Sequence, residues 1–392
     1  MTPANRFRHQ TYRSERPTSP YHLLPAVSPT DPRTGEYAEQ LAASGTAFQR
    51  AHVAAIYCVH GTFAGNDTFG LLTELARYTP GLRRALGRLG KRAVNLIAGE
   101  TGNYTPQFVA SLEKGLRANT SETIPVRLFN WSSVNNHIGR ADGAVRLIYE
   151  LAKLAEALPK DRFQAVSPRI LLWGHSHGGN VLAIVTSLLA SGREARDKFF
   201  QATRTFYQPW FWGKVDLPIW QQVRELLDNG EHPLRRMKLD IATFGTPVRY
   251  GWDDDSYAQL LHFIHHRPPE HREEYLAPFP PSLGRMLTAA DGDYTQQIGI
   301  CGTNLAPLPL ALRTFLADQR LGRFLERDVP RMRLFKRLRY GMRVPDAGTT
   351  LLVDYNQVAA CIHQHLAGHA LYTRRKWLPF HCQQIAQRFY GG

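Results

Sequence analysis

From residue 51 onward the sequence alternates short apolar, β-rich runs with longer stretches whose apolar residues recur at helical spacing. That rhythm predicts an α/β fold, a mostly parallel sheet covered by helices on both faces. Residues 53–59, 124–131, 169–173, 239–244, 260–265 and 349–355 read as strands. Residues 139–158 read as a helix, with Ala144, Leu147, Ile148, Leu151, Leu154 and Ala155 on one face. The almost wholly apolar run 180–190 predicts a central helix stopped by Gly192, and 377–389 predicts a closing one. No internal repeat interrupts the pattern.

The start of the chain lacks this rhythm. It is rich in Arg, Ser and Thr, carries Pro at 3, 17, 20, 25, 29 and 32, and has no apolar stretch. A secretory signal is therefore not expected here, and the prolines argue against an amphipathic transit helix. Residues 1–45 are expected to form a disordered basic arm, and 46–392 the folded domain. No apolar run reaches the roughly 18 residues of a membrane span. Cys58, Cys301, Cys361 and Cys382 share no metal-like spacing and read as free thiols of a reducing compartment. The expected location is cytoplasmic, with peripheral membrane association as a variant. The net charge of +15 favours anionic partners.

The most specific motif lies between a strand and a helix, where Gly174-His175-Ser176-His177-Gly178 reads G-x-S-x-G. A nucleophilic serine needs a sharp, strained turn that lifts its Oγ above the sheet, and the residues two before and two after it must be small. The helix that follows directs its N-terminal dipole toward negative charge developing on a substrate carbonyl. These demands make Ser176 the expected nucleophile.

This segment resembles the nucleophile elbow of the α/β-hydrolase superfamily, in particular bacterial lipases and esterases. Upstream, the strand 53–59 runs into His60-Gly61-Thr62-Phe63-Ala64-Gly65, similar to the HG loop of that superfamily. Downstream, Thr243-Phe244-Gly245-Thr246-Pro247 is similar to a strand end of bacterial lipases and of lipase-like proteins related to glycosylphosphatidylinositol deacylases. The resemblance implies an α/β-hydrolase fold and an oxyanion hole made by the backbone N–H groups of Thr62 (or Phe63) and His177. It also implies a base and an acid following the serine in the order serine, acid, histidine.

Under that order His369 is the expected base, because it follows the last strand, precedes the final helix and has Gly368 beside it. His363 and His365 are its rivals, and His381, inside the closing helix, reads as structural. The acid is open among three residues. Asp293 sits in an Asp-Gly turn beyond the strand 260–265, Asp354 ends the last strand, and Asp253 follows the Gly-Thr-Pro segment; they are preferred in that order.

Other clusters carry competing readings. His60, His175 and His177 could bind zinc, but no metal-binding pattern or carboxylate partner accompanies them, so neither a metal nor a cofactor is expected. His265, His266 and His271 read as a solvated loop. Residues 205–220 hold six aromatics in sixteen positions, as plain core or as a lid over a lipid-binding pocket. Residues 313–343 carry ten Lys/Arg against three acids, as a solvated helical face or as a dock for anionic headgroups. Cap insertions are accordingly expected around 200–235 and 267–345. The expected activity is hydrolysis of carboxylic esters through an acyl-enzyme, with a lipid ester as the preferred substrate and an anionic membrane surface as a possible partner. The alternatives are a small-molecule esterase and a catalytically silent binding protein of this fold. No nucleic-acid module is present, and no nucleic-acid partner is expected.

Overall fold

The computed structural model describes residues 6–8, 16–62, 102–120, 122–159, 166–208, 217–247, 249–300, 304–305, 307, 311–326, 341–356 and 365–391. Phe63 and the rest of the HG loop, residues 209–216 and 327–340 of the two biased stretches, His363, Cys301 and Cys361 lie outside the described residues.

Seven described strands form one sheet: β1 (Tyr21–Leu24), β2 (Val53–Val59), β3 (Val126–Phe129), β4 (Arg169–His175), β5 (Lys238–Phe244), β6 (Gln259–His265) and β7 (Thr349–Val353). Five described helices precede residue 210: α1 (Gly35–Arg50), α2 (Pro106–Arg117), α3 (His137–Ala157), α4 (His177–Ala190) and α5 (Arg193–Tyr207). Five follow it: α6 (Pro218–Asp228), α7 (Leu283–Leu287), α8 (Tyr294–Ile300), α9 (Leu312–Glu326) and α10 (Leu378–Tyr390).

The spatial order is β1-β7-β6-β5-β4-β2-β3, and every neighbouring pair is parallel. Parallel strands of this kind must be buried on both faces. β2 accordingly reads VAAIYCV with every residue buried, whereas β3, at the sheet edge, leaves Arg127 exposed. The chain steps outward from β2 to β3, returns across β2 to β4, and then runs on through β5, β6 and β7 in the opposite direction. Right-handed crossovers therefore place helices on both faces. α1, α2 and α10 pack one core against the sheet, while α3, α4, α5, α6 and α9 pack the other. The strand order reverses between β2 and β4, and the carboxyl ends of strands at such a reversal are the usual place for a ligand in sheets of this kind.

The chain start differs from its expected disorder. Tyr21–Leu24 pairs with Thr350–Val353 at the sheet edge, and α1 begins eleven residues before the expected start of the domain. Tyr37, Leu41, Ser44, Gly45 and Phe48 recur at helical spacing and are all buried. Thr34 caps this helix by accepting the Tyr37 N–H, a device that stabilises a helix by about 1 kcal/mol. β1 is only four residues long and half exposed, too little apolar sequence to stand out among prolines.

The aromatic stretch also resolves differently from a lid. Its described members Phe206, Tyr207 and Trp220 belong to the core beneath α3 and α4. The Trp220 ring stacks on Phe199 and Tyr207 at 5.9 and 5.3 Å, and its indole N–H donates to Asp142 Oδ1 at 2.8 Å. Within 200–235 the described residues therefore build a helical layer of the domain, not a cap. Of the basic stretch, Arg313 donates to the Thr205 and Gln208 carbonyls at the end of α5. Arg343 is wholly buried, so neither is part of a solvated face. Trp220→Ala is expected to destabilise the domain by about 3–5 kcal/mol, read as a lowered denaturant midpoint. An unchanged midpoint would restore the lid reading for this residue.

Candidate active site

Four strand ends build the site. β4 delivers Ser176, whose backbone sits at φ 53°, ψ −132°, a region a side chain rarely occupies. Three bonds hold the turn in place. The Ser176 N–H donates to the Phe244 carbonyl at 2.9 Å, and its own carbonyl accepts from the Gly179 N–H at 3.0 Å and from the Thr246 hydroxyl at 2.9 Å. The Gly-Thr-Pro segment after β5 thus pins the elbow formed after β4. Gly178 is dictated by contact, because a Cβ there would lie 2.3 Å from the Val59 carbonyl oxygen at the end of β2.

β2 delivers the HG loop. The Trp131 indole N–H donates to the His60 carbonyl at 2.8 Å, and the two rings stack. A Cβ built on Gly61 would fall 2.7 Å from Ser176 Cβ and 3.2 Å from its Oγ. The loop carrying Thr62 therefore runs directly against Ser176. The N–H of His177 opens α4, where backbone donors have no intrahelical acceptor.

The loops after β6 and β7 bring Asp293 and His369 together, with His369 Nδ1 donating to Asp293 Oδ2 at 2.7 Å. The carboxylate is 0% exposed and also accepts the Tyr372 hydroxyl at 2.9 Å and the Gln296 N–H at 2.8 Å. Burial alone would raise its pKa, but His369, the Gln296 N–H and the Arg343 charge outweigh burial and hold it below the ordinary carboxylate value. A charged Asp293 fixes the proton on His369 Nδ1, leaving Nε2 as a lone pair. That Nε2 is buried and has no hydrogen-bond partner, so Ser176 and His369 are not bonded to each other in this state.

Gly368 serves as the sequence suggests: its φ is +86°, and a Cβ there would meet the Gly292 carbonyl oxygen at 2.3 Å. His365 is buried in the same loop, where its Nδ1 accepts the Gly368 N–H at 3.2 Å. His381 shares a 2.8 Å bond with the Tyr355 hydroxyl inside the core, and burial lowers its pKa to about 3.

The rival acids lie elsewhere. Asp354 pairs with Arg267 at 2.9 Å and caps the Asn356 N–H. The Asp253 N–H bonds Thr186, ten residues along α4 from Ser176 and so about 15 Å away. The two histidines flanking the serine have different partners. His175 Nε2 donates to the His369 carbonyl at 3.0 Å, and burial together with His369 lowers its pKa to about 3. His177 Nδ1 accepts from Asn180 at 3.1 Å. Among the described residues no group of His, Cys, Asp or Glu could hold a metal ion. His265 and His266, expected in a solvated loop, are both buried, at the end of β6 and just beyond it.

Sequence reasoning passed over three residues that hold the site. Tyr372 bonds both Asp293 and the His265 N–H, and its only signal was a place three residues after His369. Arg343 donates to the Asp293 carbonyl at 2.6 Å and to Gln296, but its sequence context reads as one more basic residue. His175 is weighed in the sequence only as a zinc ligand, which gives no hint of its bond to the His369 carbonyl.

Comparison with family models, with curated proteins and with solved structures finds no match to this chain. Gly178→Ala is expected to lower stability by about 3 kcal/mol, because its methyl would meet fixed backbone of β2 and not a side chain that could swing away. Equilibrium unfolding of the two proteins checks this, and equal midpoints would mean that the elbow does not abut β2.

Proposed function

We propose that this protein is a serine hydrolase of carboxylic esters with an α/β-hydrolase fold. The observation carrying the reading is that Ser176, on a strained strand-to-helix turn, lies beside a buried Asp293–His369 pair from two later loops, its neighbour His175 bonding the His369 carbonyl at 3.0 Å. The strand order β3-β2-β4-β5-β6-β7, with serine, acid and histidine following β4, β6 and β7, supports the fold assignment. The sheet departs from the usual pattern of that fold in having no antiparallel strand among the seven described.

In this reading the Ser176 hydroxyl passes its proton to His369 Nε2 as Oγ attacks the ester carbonyl. Asp293 stabilises the resulting imidazolium and holds the ring's orientation. The N–H groups of His177 and Thr62 receive the oxyanion. Collapse of the intermediate returns the proton to the leaving alcohol, and water then repeats the sequence to free the acid. No cofactor takes part.

A lipid ester remains the preferred substrate class, now on different grounds. The aromatic stretch gives no support through its described residues, which are core. Support comes from Leu283, Leu287 and Leu366, which are exposed and border Asp293 and His369 along the chain. The Thr295 hydroxyl and the Tyr294 N–H bond the carbonyls of Leu366 and Ala367, tying the two loops into one rim. The inward packing of Phe206, Tyr207 and Trp220 favours the second reading, an esterase of small soluble substrates.

A fluorophosphonate probe is expected to label wild-type protein at Ser176 and to leave Ser176→Ala unlabelled while unfolding stays unchanged. His369→Ala and Asp293→Asn are each expected to reduce ester turnover by about 10³-fold or more. Asp354→Asn, Asp253→Asn and His363→Ala should remain near wild type. Labelling of Ser176→Ala, or full activity in Asp293→Asn, would defeat the assignment.

A further inference from the structure

Two guanidinium groups are buried beside the elbow, and the ester chemistry uses neither. Arg140, in the first turn of α3, is 0% exposed, and Arg249, five residues beyond the end of β5, is 2% exposed. Tyr250 joins them, since Arg140 Nε donates to its hydroxyl at 2.8 Å. Its other bonds run to the side-chain oxygens of Asn135 and Asn304, so the groups that accept directly from it are neutral. Arg249 Nη2 pairs with Glu326, while its Nε and Nη1 are buried with no hydrogen-bond partner.

The place of this pair in the fold is fixed by Asn180. Its Nδ2 lies 3.0 Å from the Pro247 carbonyl and 3.1 Å from His177 Nδ1, which ties the Arg249 loop to the first turn of α4. Thr246, three residues before Arg249, bonds the Ser176 carbonyl itself. The imidazole of His177 responds to this setting: burial, and then the charges of Arg140 and Arg249, hold its pKa well below the ordinary value. The acidic groups facing the cluster are already engaged. Glu326 takes Arg249, and Asp318 accepts the Ile138 N–H and the Asn304 amide.

Buried guanidinium donors left unmatched are costly unless a ligand completes them, and a planar fork suits the oxygens of a phosphate or carboxylate. We propose that Arg249, backed by Arg140, is a recognition site for an anionic oxygen group, a phosphate in the first instance, carried by the ester substrate next to its scissile bond. The inference rests on the hydrolase reading and narrows its substrate class to phosphorylated esters.

Two matched substrates test it: dihexanoyl phosphatidic acid and dihexanoylglycerol, both kept monomeric, which differ by the phosphate alone. Wild-type protein is expected to favour the phosphate-bearing ester by about tenfold or more in kcat/KM. Arg249→Gln should bring that ratio close to one, and Arg249→Lys, which keeps the charge and loses the fork, should retain part of it. A wild-type ratio near one overturns the proposal whatever the variants do, and so does an undiminished ratio in Arg249→Gln. Inorganic phosphate separates the headgroup from the free ion: slowed fluorophosphonate labelling of wild type by millimolar phosphate means that the free ion also binds. If Ser176 is not labelled at all, the hydrolase reading fails by itself. The anion site is then decided by calorimetric titration with inorganic phosphate, where saturable binding lost in Arg249→Gln upholds it and absent binding overturns it.

Discussion

A carboxylate with no exposure to water must find its solvation inside the protein, and much of this site is organised by that need. Asp293 draws an imidazole, a phenol and a backbone N–H onto its two oxygens, and a guanidinium onto its main-chain carbonyl. Those donors come from three segments far apart in sequence: the loop after β7, the start of α8, and Arg343 just before β7. Removing any one leaves a buried polar group short of a partner, which costs about 1–3 kcal/mol and more where charge is involved. The loop geometry that aims His369 Nε2 inward is thus coupled to the satisfaction of a buried charge.

The strain at Ser176 is supported in a similar way, from neighbouring strands. A serine at positive φ costs of order 1–3 kcal/mol and persists only where its surroundings over-determine it. Here β5 accepts the Ser176 N–H, the Thr246 hydroxyl holds its carbonyl, and β2 leaves room for Gly178 alone. The sheet reversal between β2 and β4 makes this possible. It sets the HG loop and the elbow side by side at one end of the sheet, while β5, on the other side of β4, adds the third support.

Elements whose character comes from local composition were legible in the sequence. The central strands lie within two residues of their expected bounds because continuous burial on two faces leaves a continuous apolar run. Ser176 and Gly368 were legible because special backbone geometry restricts residue choice. β1 was not, since a four-residue edge strand shows one face to solvent and needs no pattern of its own. The partner of His369 was legible only as three alternatives. Choosing among Asp293, Asp354 and Asp253 depends on which loop folds back over the sheet, and that is settled by contacts between distant segments such as Tyr372 with Asp293 and Arg267 with Asp354.

Aromatic and basic richness were the least informative signals, for a physical reason. A tryptophan has the same composition whether it lies on a lipid surface or stacks between Phe199 and Tyr207, and only its indole N–H distinguishes the cases by finding Asp142. An arginine likewise adds one to the net charge whether solvated or buried. Arg313 closes a helix end, Arg343 braces the acid loop, and Arg140 lies among neutral oxygens. The net charge of +15 therefore does not say which charges lie inside: Arg140, Arg249 and Arg343 are buried, and so are Asp142, Asp240, Asp291, Asp293 and Asp318. Inside the protein, low polarizability strengthens each charge's reach and the cost of leaving it unmatched. Positive charge in this chain acts at short range on the architecture of the site as well as at long range on whatever approaches it.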